Sequence, residues 1–167
     1  MTQPITLKDT IAYHEAGHAV VSWVLKVRFR QISVDDFEGK VTGGMFFPDH
    51  FHPASMSTSD WIRIRNEALI LLAGEAAESG YNELRNEEND ENLAVHDRRD
   101  FAELLKRFGE HECPLIDMSE KALRLKTNKL IEEHWYQIDA LAKALMKNGK
   151  MSGHQATRII ESIKIMP

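Results

Sequence analysis

Two histidines and a glutamate interrupt an otherwise apolar helical segment near the start of the chain. In the stretch TIAYHEAGHAVVSWVL, residues 10–25, small and apolar residues recur at the spacing of an α-helix. His14, Glu15 and His18 fall in the middle of this stretch. Imidazole and carboxylate groups are costly to bury unless they have polar partners. The segment therefore predicts a buried helix that carries a site for these three side chains.

The spacing of these residues is that of an H-E-x-x-H motif. Residues four apart lie one above the other on a helix, so the imidazoles of His14 and His18 project from the same face. Two ring nitrogens so placed can bind one Zn²⁺ ion at tetrahedral angles. Glu15 is rotated by about 100° from His14, which puts it beside the ion, where it can accept a proton from an attacking water. The small Ala16 and Gly17 allow another element to pack close to this site.

A catalytic zinc ion needs a third protein ligand and an open position for substrate. The segment HEAGHAVVSWV lacks the further histidine, at fixed spacing, that supplies this ligand in metzincins. The third ligand must therefore come from later in the chain. The candidates are acidic and histidine side chains on the next predicted helices: Glu75, Glu78, His96, Asp97 and Asp100.

The periodicity of apolar residues predicts a mainly α fold of the α+β class, with a small β-sheet or hairpin after the first, metal-binding helix. The chain of 167 residues has no internal repeat and no long linker, which predicts a single domain over residues 1–167. Capping-box patterns begin two of the helices, at Ser57 and at Ser152. The predicted helices span about 7–26, 57–79, 97–108, 119–147 and 152–163, and the small sheet spans about 31–47.

The composition points away from several classes of partner and compartment. The net charge of −5 gives no electrostatic reason to expect nucleic acid as a partner. The single cysteine, Cys113, excludes an internal disulfide and fits a reducing compartment. The N-terminal residues resemble no signal peptide, and no apolar run is long enough to span a bilayer. We therefore expect a cytoplasmic protein without a membrane span.

Five segments, taken in order, resemble one known family. They are AYHEAGHAVV, VTGGMFFP, LLAGEAAES, HDRRDFAELLKRFG and the long stretch that begins MSEKALRLKTNKLIEEHW. They are similar to the zinc helix, the glycine-aromatic strand, the glutamate-bearing helix, the aspartate-bearing helix and the long C-terminal helix with the hairpin after it in the peptidase domain of FtsH-type, membrane-anchored AAA+ zinc proteases. The resemblance covers essentially the whole chain. It implies a helical zinc-peptidase domain that stands here without an ATPase module.

The resemblance also implies roles for individual residues. It makes His14 and His18 zinc ligands and Asp100 the third ligand, because the family's aspartate is followed by an apolar residue and a helical pattern. The segment before Asp100 departs from the family pattern, so Asp97 and His96 remain alternatives. Glu78 is implied to orient a histidine ligand. The glycine-aromatic strand, on which substrate would lie, is implied to comprise Gly44, Met45, Phe46 and Phe47.

The function that follows is a zinc metallopeptidase of the H-E-x-x-H type that hydrolyses peptide bonds in unstructured polypeptides, with Glu15 as general base. Two alternatives remain open: a catalytically weak, peptidase-like module that binds metal and a partner, and a regulatory protease specific for one partner. The sequence contains no G-x-x-x-x-G-K-[ST] motif, so an unfolding ATPase would have to be a separate partner. The family's ring architecture makes a homo-oligomer a further expectation.

Overall fold

The computed structural model describes residues 6–34, 40–42, 53–86, 93–109, 111 and 116–163. These residues form a mainly helical fold with a small antiparallel sheet, which confirms the predicted fold class. Its elements are α1 (Leu7–Val24), β1 (Gln31–Ser33), β2 (Lys40–Thr42), α2 (Thr58–Glu83), α3 (Val95–Phe108), α4 (Glu120–Glu133), α5 (Trp135–Asn148), β3 (Lys150–Ser152) and α6 (Gly153–Ser162).

Helix α1 lies at the centre of the molecule. A capping box begins it, in which the Asp9 amide donates to Thr6 Oγ1 at 3.3 Å and the Thr6 amide donates to the Asp9 carboxylate at 2.9 Å. Every residue from Thr10 to Ser22 is buried. The helix packs chiefly against α2 and α5 and also contacts the sheet. The predicted buried helix is therefore confirmed, and it carries the H-E-x-x-H residues into the core.

Helices α1 and α2 approach each other closely at Gly17. A Cβ atom at this position would lie 2.5 Å from the Ala73 carbonyl oxygen and 2.6 Å from the Ala77 Cβ. Any larger residue would push the two helices apart, because packed backbone has no room to yield. The expectation that a small residue here admits a second element is confirmed, and that element is α2.

The sheet has three strands in the order β2-β1-β3, all antiparallel to their neighbours. Ile32 is the central residue, paired with Val41 on one side and Met151 on the other. Strands β1 and β2 fall in the predicted region 31–47, whereas β3 lies outside it, in the segment where the family resemblance implies a hairpin. Three residues between two helices are too few to show a two-residue alternation. The proposed strand residues 44–47 lie outside the described part of the chain.

The single helix predicted over 119–147 is wrong, because the chain forms α4 and α5 on either side of His134. The backbone of His134 has φ −115° and ψ 19°, outside helical values. The apolar periodicity hides this break because α5 resumes at the next residue. The two helices have different packing partners, since α4 packs mainly against α2 whereas α5 packs mainly against α1.

Candidate metal centre

His14 and His18 place their imidazoles together at the buried face of α1. The side chains belong to residues only 3% and 7% exposed, and their Nε2 atoms are 3.1 Å apart. Two neutral acceptors would not approach so closely without a proton or a cation between them. The two imidazoles therefore lie on the same face of α1, as the spacing of the motif predicts.

Asp97, in the first turn of α3, completes a triangle of donor atoms. Its Oδ2 lies 2.9 Å from His14 Nε2 and 3.1 Å from His18 Nε2. Ligand atoms 2.0–2.2 Å from a tetrahedral metal ion lie about 3.3–3.6 Å from one another. One ion therefore fits against all three atoms after a small expansion of the triangle. His14, His18 and Asp97 form a group that can bind a metal ion.

The preference for Asp100 as third ligand was wrong, and the alternative Asp97 occupies the site. The Asp100 carboxylate is 51% exposed and pairs with its neighbour Arg99 at 3.3 Å. His96, the other alternative, is exposed at the surface. Glu75, a further candidate, is engaged by Arg98 at 2.7 Å.

The register of α3 explains why Asp97 reaches the histidines. The helix buries Phe101, Leu104 and Phe108, and Asp97 lies four residues before Phe101. It therefore shares the buried face, one turn nearer the helix start. Asp100 is the residue immediately before Phe101 and points away from that face. The signal was present in the sequence as an acidic residue that continues an i, i+4, i+7 apolar pattern backwards.

Each histidine also has a polar neighbour at its second ring nitrogen. Glu78 Oε2, on α2 and 2% exposed, lies 3.4 Å from His14 Nδ1. The prediction placed Glu78 beside a histidine ligand, and this is where it lies. The Nδ1–H of His18 donates to the Ile70 carbonyl at 2.7 Å. That bond fixes the tautomer whose Nε2 lone pair faces the site. The role of Ile70 was missed from the sequence, because the acceptor is a backbone carbonyl and does not depend on the type of side chain.

The backbone of α2 at Gly74 forms the floor beneath both imidazoles. A Cβ atom here would collide with His18 Nε2 and would lie 2.6 Å from His14 Nε2. Only glycine admits the α2 backbone at this distance. A glycine within a long helix costs stability relative to alanine, so it signals a close approach. The role of Gly74 was missed from the sequence.

Glu15 lies beside the three donor atoms but is not one of them. The residue is only 4% exposed. Its negative charge contributes to raising the pKa of both His14 and His18. This is the position expected for a base that acts next to a bound ion.

The charges of His14, His18 and Asp97 shift one another's pKa values. Burial lowers the pKa of His14, but hydrogen bonds with Asp97 and Glu78 more than offset this and raise it to about 9. Burial likewise lowers the pKa of His18, but the charge of Asp97, a hydrogen bond with Asp97 and the charge of Glu15 together raise it. Burial tends to raise the pKa of Asp97, yet the two histidines hold it well below its usual range. Without a metal ion, the centre therefore holds protons between its nitrogens and its carboxylate, and a metal ion must displace them.

We expect the metal-free protein to lose stability as the pH rises from 6.5 to about 9. The pKa of His14 is raised from 6.5 to about 9 in the folded protein. Its contribution to the free energy of unfolding is complete below pH 6.5 and disappears as pH passes through the folded value. Melting temperatures of chelator-treated protein across this range measure the effect. Asp97→Asn, which removes the counter-charge, should flatten the profile, and a flat wild-type profile would contradict the prediction.

A cavity among the described residues borders α2. It has a volume of about 560 Å³ and is lined by α2, α4 and the start of α5, with Leu72, Ile131 and Trp135 among its walls. None of the three metal-binding side chains contributes to it. The metal centre is therefore a separate feature from this cavity.

Comparison with known proteins yields no match to any family model and none to a curated protein. No helix in the described ranges is long and apolar enough to cross a bilayer. The interpretation of the site therefore depends on its own residues: two buried imidazoles, one carboxylate from a separate helix and a glutamate beside them.

Proposed function

We propose that the chain is a zinc-dependent metalloendopeptidase that hydrolyses peptide bonds in unstructured polypeptides. The observation that carries this proposal is the convergence of His14, His18 and Asp97 within 3.1 Å of one another, with Glu15 buried beside them. Two imidazoles and one carboxylate leave the fourth position of a tetrahedral ion open, as in catalytic sites. Structural zinc sites are usually closed by four ligands and rich in cysteine.

Zinc is the metal we propose because two imidazoles and one carboxylate suit this ion at tetrahedral angles. When bound, it would supply the Lewis acidity that polarises a peptide carbonyl and lowers the pKa of water. His14 and His18 would hold it through Nε2, and Asp97 through Oδ2. Glu78 and the Ile70 carbonyl keep the two rings oriented from behind.

Glu15 is the proposed general base. Its carboxylate would take a proton from the attacking water and then pass a proton to the leaving amine. This role requires a carboxylate that lies near the ligands without being one of them. The buried position of Glu15 next to both histidines meets this requirement.

An extended polypeptide is the proposed substrate. Among the described strands β2 is an outer one, so a substrate segment could add to its edge by backbone hydrogen bonds. Gly44, Met45, Phe46 and Phe47 follow β2 closely in the sequence and resemble the substrate strand of FtsH-type peptidases. We propose that this segment contributes to substrate binding.

The test is digestion of fluorescently labelled casein by the purified chain. We expect cleavage by zinc-supplied protein, loss of cleavage after chelation and recovery when zinc is restored. Cleavage that survives chelation would contradict a metal-dependent mechanism. Zinc binding without cleavage of casein would instead favour a regulatory protease specific for one partner or a metal-binding interaction module.

A further inference from the structure

Asp97 lies in a turn of α3 that has little support of its own. Ala94, the N-cap residue of α3, is buried but makes no side-chain cap hydrogen bond. Val95 and His96, which open the helix, are exposed. The apolar anchors of α3 begin only at Phe101, one turn beyond Asp97. Contacts of this turn with other elements therefore contribute to fixing the position of the proposed third ligand.

The neighbouring Arg98 makes such a contact with α2. Its Nε and Nη2 atoms donate to Glu75 Oε1 at 2.9 and 2.7 Å. Glu75 directly follows Gly74, whose backbone forms the floor under the imidazoles. The ion pair thus joins Arg98, which follows the proposed third ligand Asp97, to Glu75, which follows Gly74. Charge-assisted bonds of this length are directional as well as strong.

The Glu75 carboxylate is also held from its other side. Arg124 of α4 places Nη1 3.6 Å from Glu75 Oε2. Arg124 itself bonds Glu120 at 2.7 Å and lies over the Phe101 ring, 5.6 Å from the ring centre. Glu75 therefore stands between arginines from two helices, which limits its freedom to follow a displaced Arg98.

From this arrangement we infer that Arg98 and Glu75 are positioning residues that hold Asp97 against the two histidines. The inference rests on the proposed function, because it concerns the same metal centre. The pair is partly exposed, so its removal should change the melting temperature of the metal-free protein by no more than about 3 °C. Partners that orient a metal ligand have a larger effect on binding, about 10–100-fold in metal affinity.

The test compares Arg98→Gln with the matched control Arg99→Gln. Both remove one positive charge close to Asp97, but Arg99 is exposed and pairs only locally with Asp100 in the described contacts. Zinc affinity is measured by competition with a chromophoric chelator, and melting temperature is measured on metal-free protein. We expect Arg98→Gln to weaken zinc binding about 10-fold, Arg99→Gln to leave it unchanged and Arg98→Lys to restore part of the loss. Equal affinities for the two glutamine variants would overturn the inference.

A second background separates positioning from a general loss of structure. With Asp97→Asn already present, Arg98→Gln should cause no further loss of zinc affinity, because the group on which it acts is gone. An equal loss in both backgrounds would show that Arg98 does not act through Asp97. These measurements need no peptide hydrolysis, so a chain that binds zinc but cleaves nothing still tests the inference. A wild-type chain that binds no zinc would overturn both the inference and the proposed function.

Discussion

Replacing Glu15 by glutamine is expected to reduce kcat for casein hydrolysis by about 10²–10⁴-fold while the protein keeps its zinc. Glutamine matches glutamate in size and can still accept a hydrogen bond, but it cannot take up a proton at neutral pH. The three donor atoms of His14, His18 and Asp97 are untouched by this change. Steady-state kinetics and the zinc content of the same preparation measure the two halves of the prediction.

A matched control for Glu15→Gln is Glu132→Gln, the same substitution at an exposed position on α4. This control should have wild-type kcat and zinc content. A Glu15→Gln protein that loses zinc would indicate that Glu15 serves as a ligand. A Glu15→Gln protein that retains full activity would rule out Glu15 as the base.

Replacing Asp97 by asparagine is expected to weaken zinc binding by about 100-fold or more, beyond the range seen for residues that only orient a ligand. A neutral amide oxygen replaces the carboxylate that lies 2.9 and 3.1 Å from the two histidine nitrogens. Chelator competition at fixed pH gives the affinity, and casein digestion should fall in parallel. The pH must be fixed because protons compete with the metal for the same atoms.

Asp100→Asn is the matched control, since it makes the same chemical change three residues later on the same helix. The Asp100 carboxylate is half exposed and bonds Arg99, so zinc affinity should not change. If Asp100→Asn proved the more damaging variant, the register of α3 against α1 would have to differ from that described above. Wild-type zinc affinity in both variants would show that neither Asp97 nor Asp100 of α3 binds the metal ion.

Features encoded by short-range spacing were predictable from the sequence. The shared face of His14 and His18 follows from helix geometry alone, and the structure places their rings together. The capping boxes expected at Ser57 and Ser152 begin α2 and α6, because the cap and its partner lie three residues apart. Glu78 was placed beside a histidine by family resemblance, and it lies near His14.

Features that depend on how helices dock were not predictable in the same way. The choice between Asp97 and Asp100 turns on the register of α3, which is fixed by burial of Phe101 and the residues that follow it. The floor at Gly74 and the carbonyl of Ile70 depend on the close packing of α2 against α1. The break at His134 likewise reflects two packing partners for what reads as one periodic segment.

The ligands of the metal centre are far apart along the chain, and this ties the site to the order of folding. Asp97 follows His14 by 83 residues and His18 by 79. A nascent chain that has emerged only as far as α2 carries both imidazoles, Glu15 and Gly74, but it lacks the carboxylate of Asp97. Contacts between such distant residues form late, because the intervening chain must first be ordered. The hydrolytic site that we propose would therefore be complete only in molecules whose fold is complete, so newly made chains would not be exposed to a partly assembled catalyst.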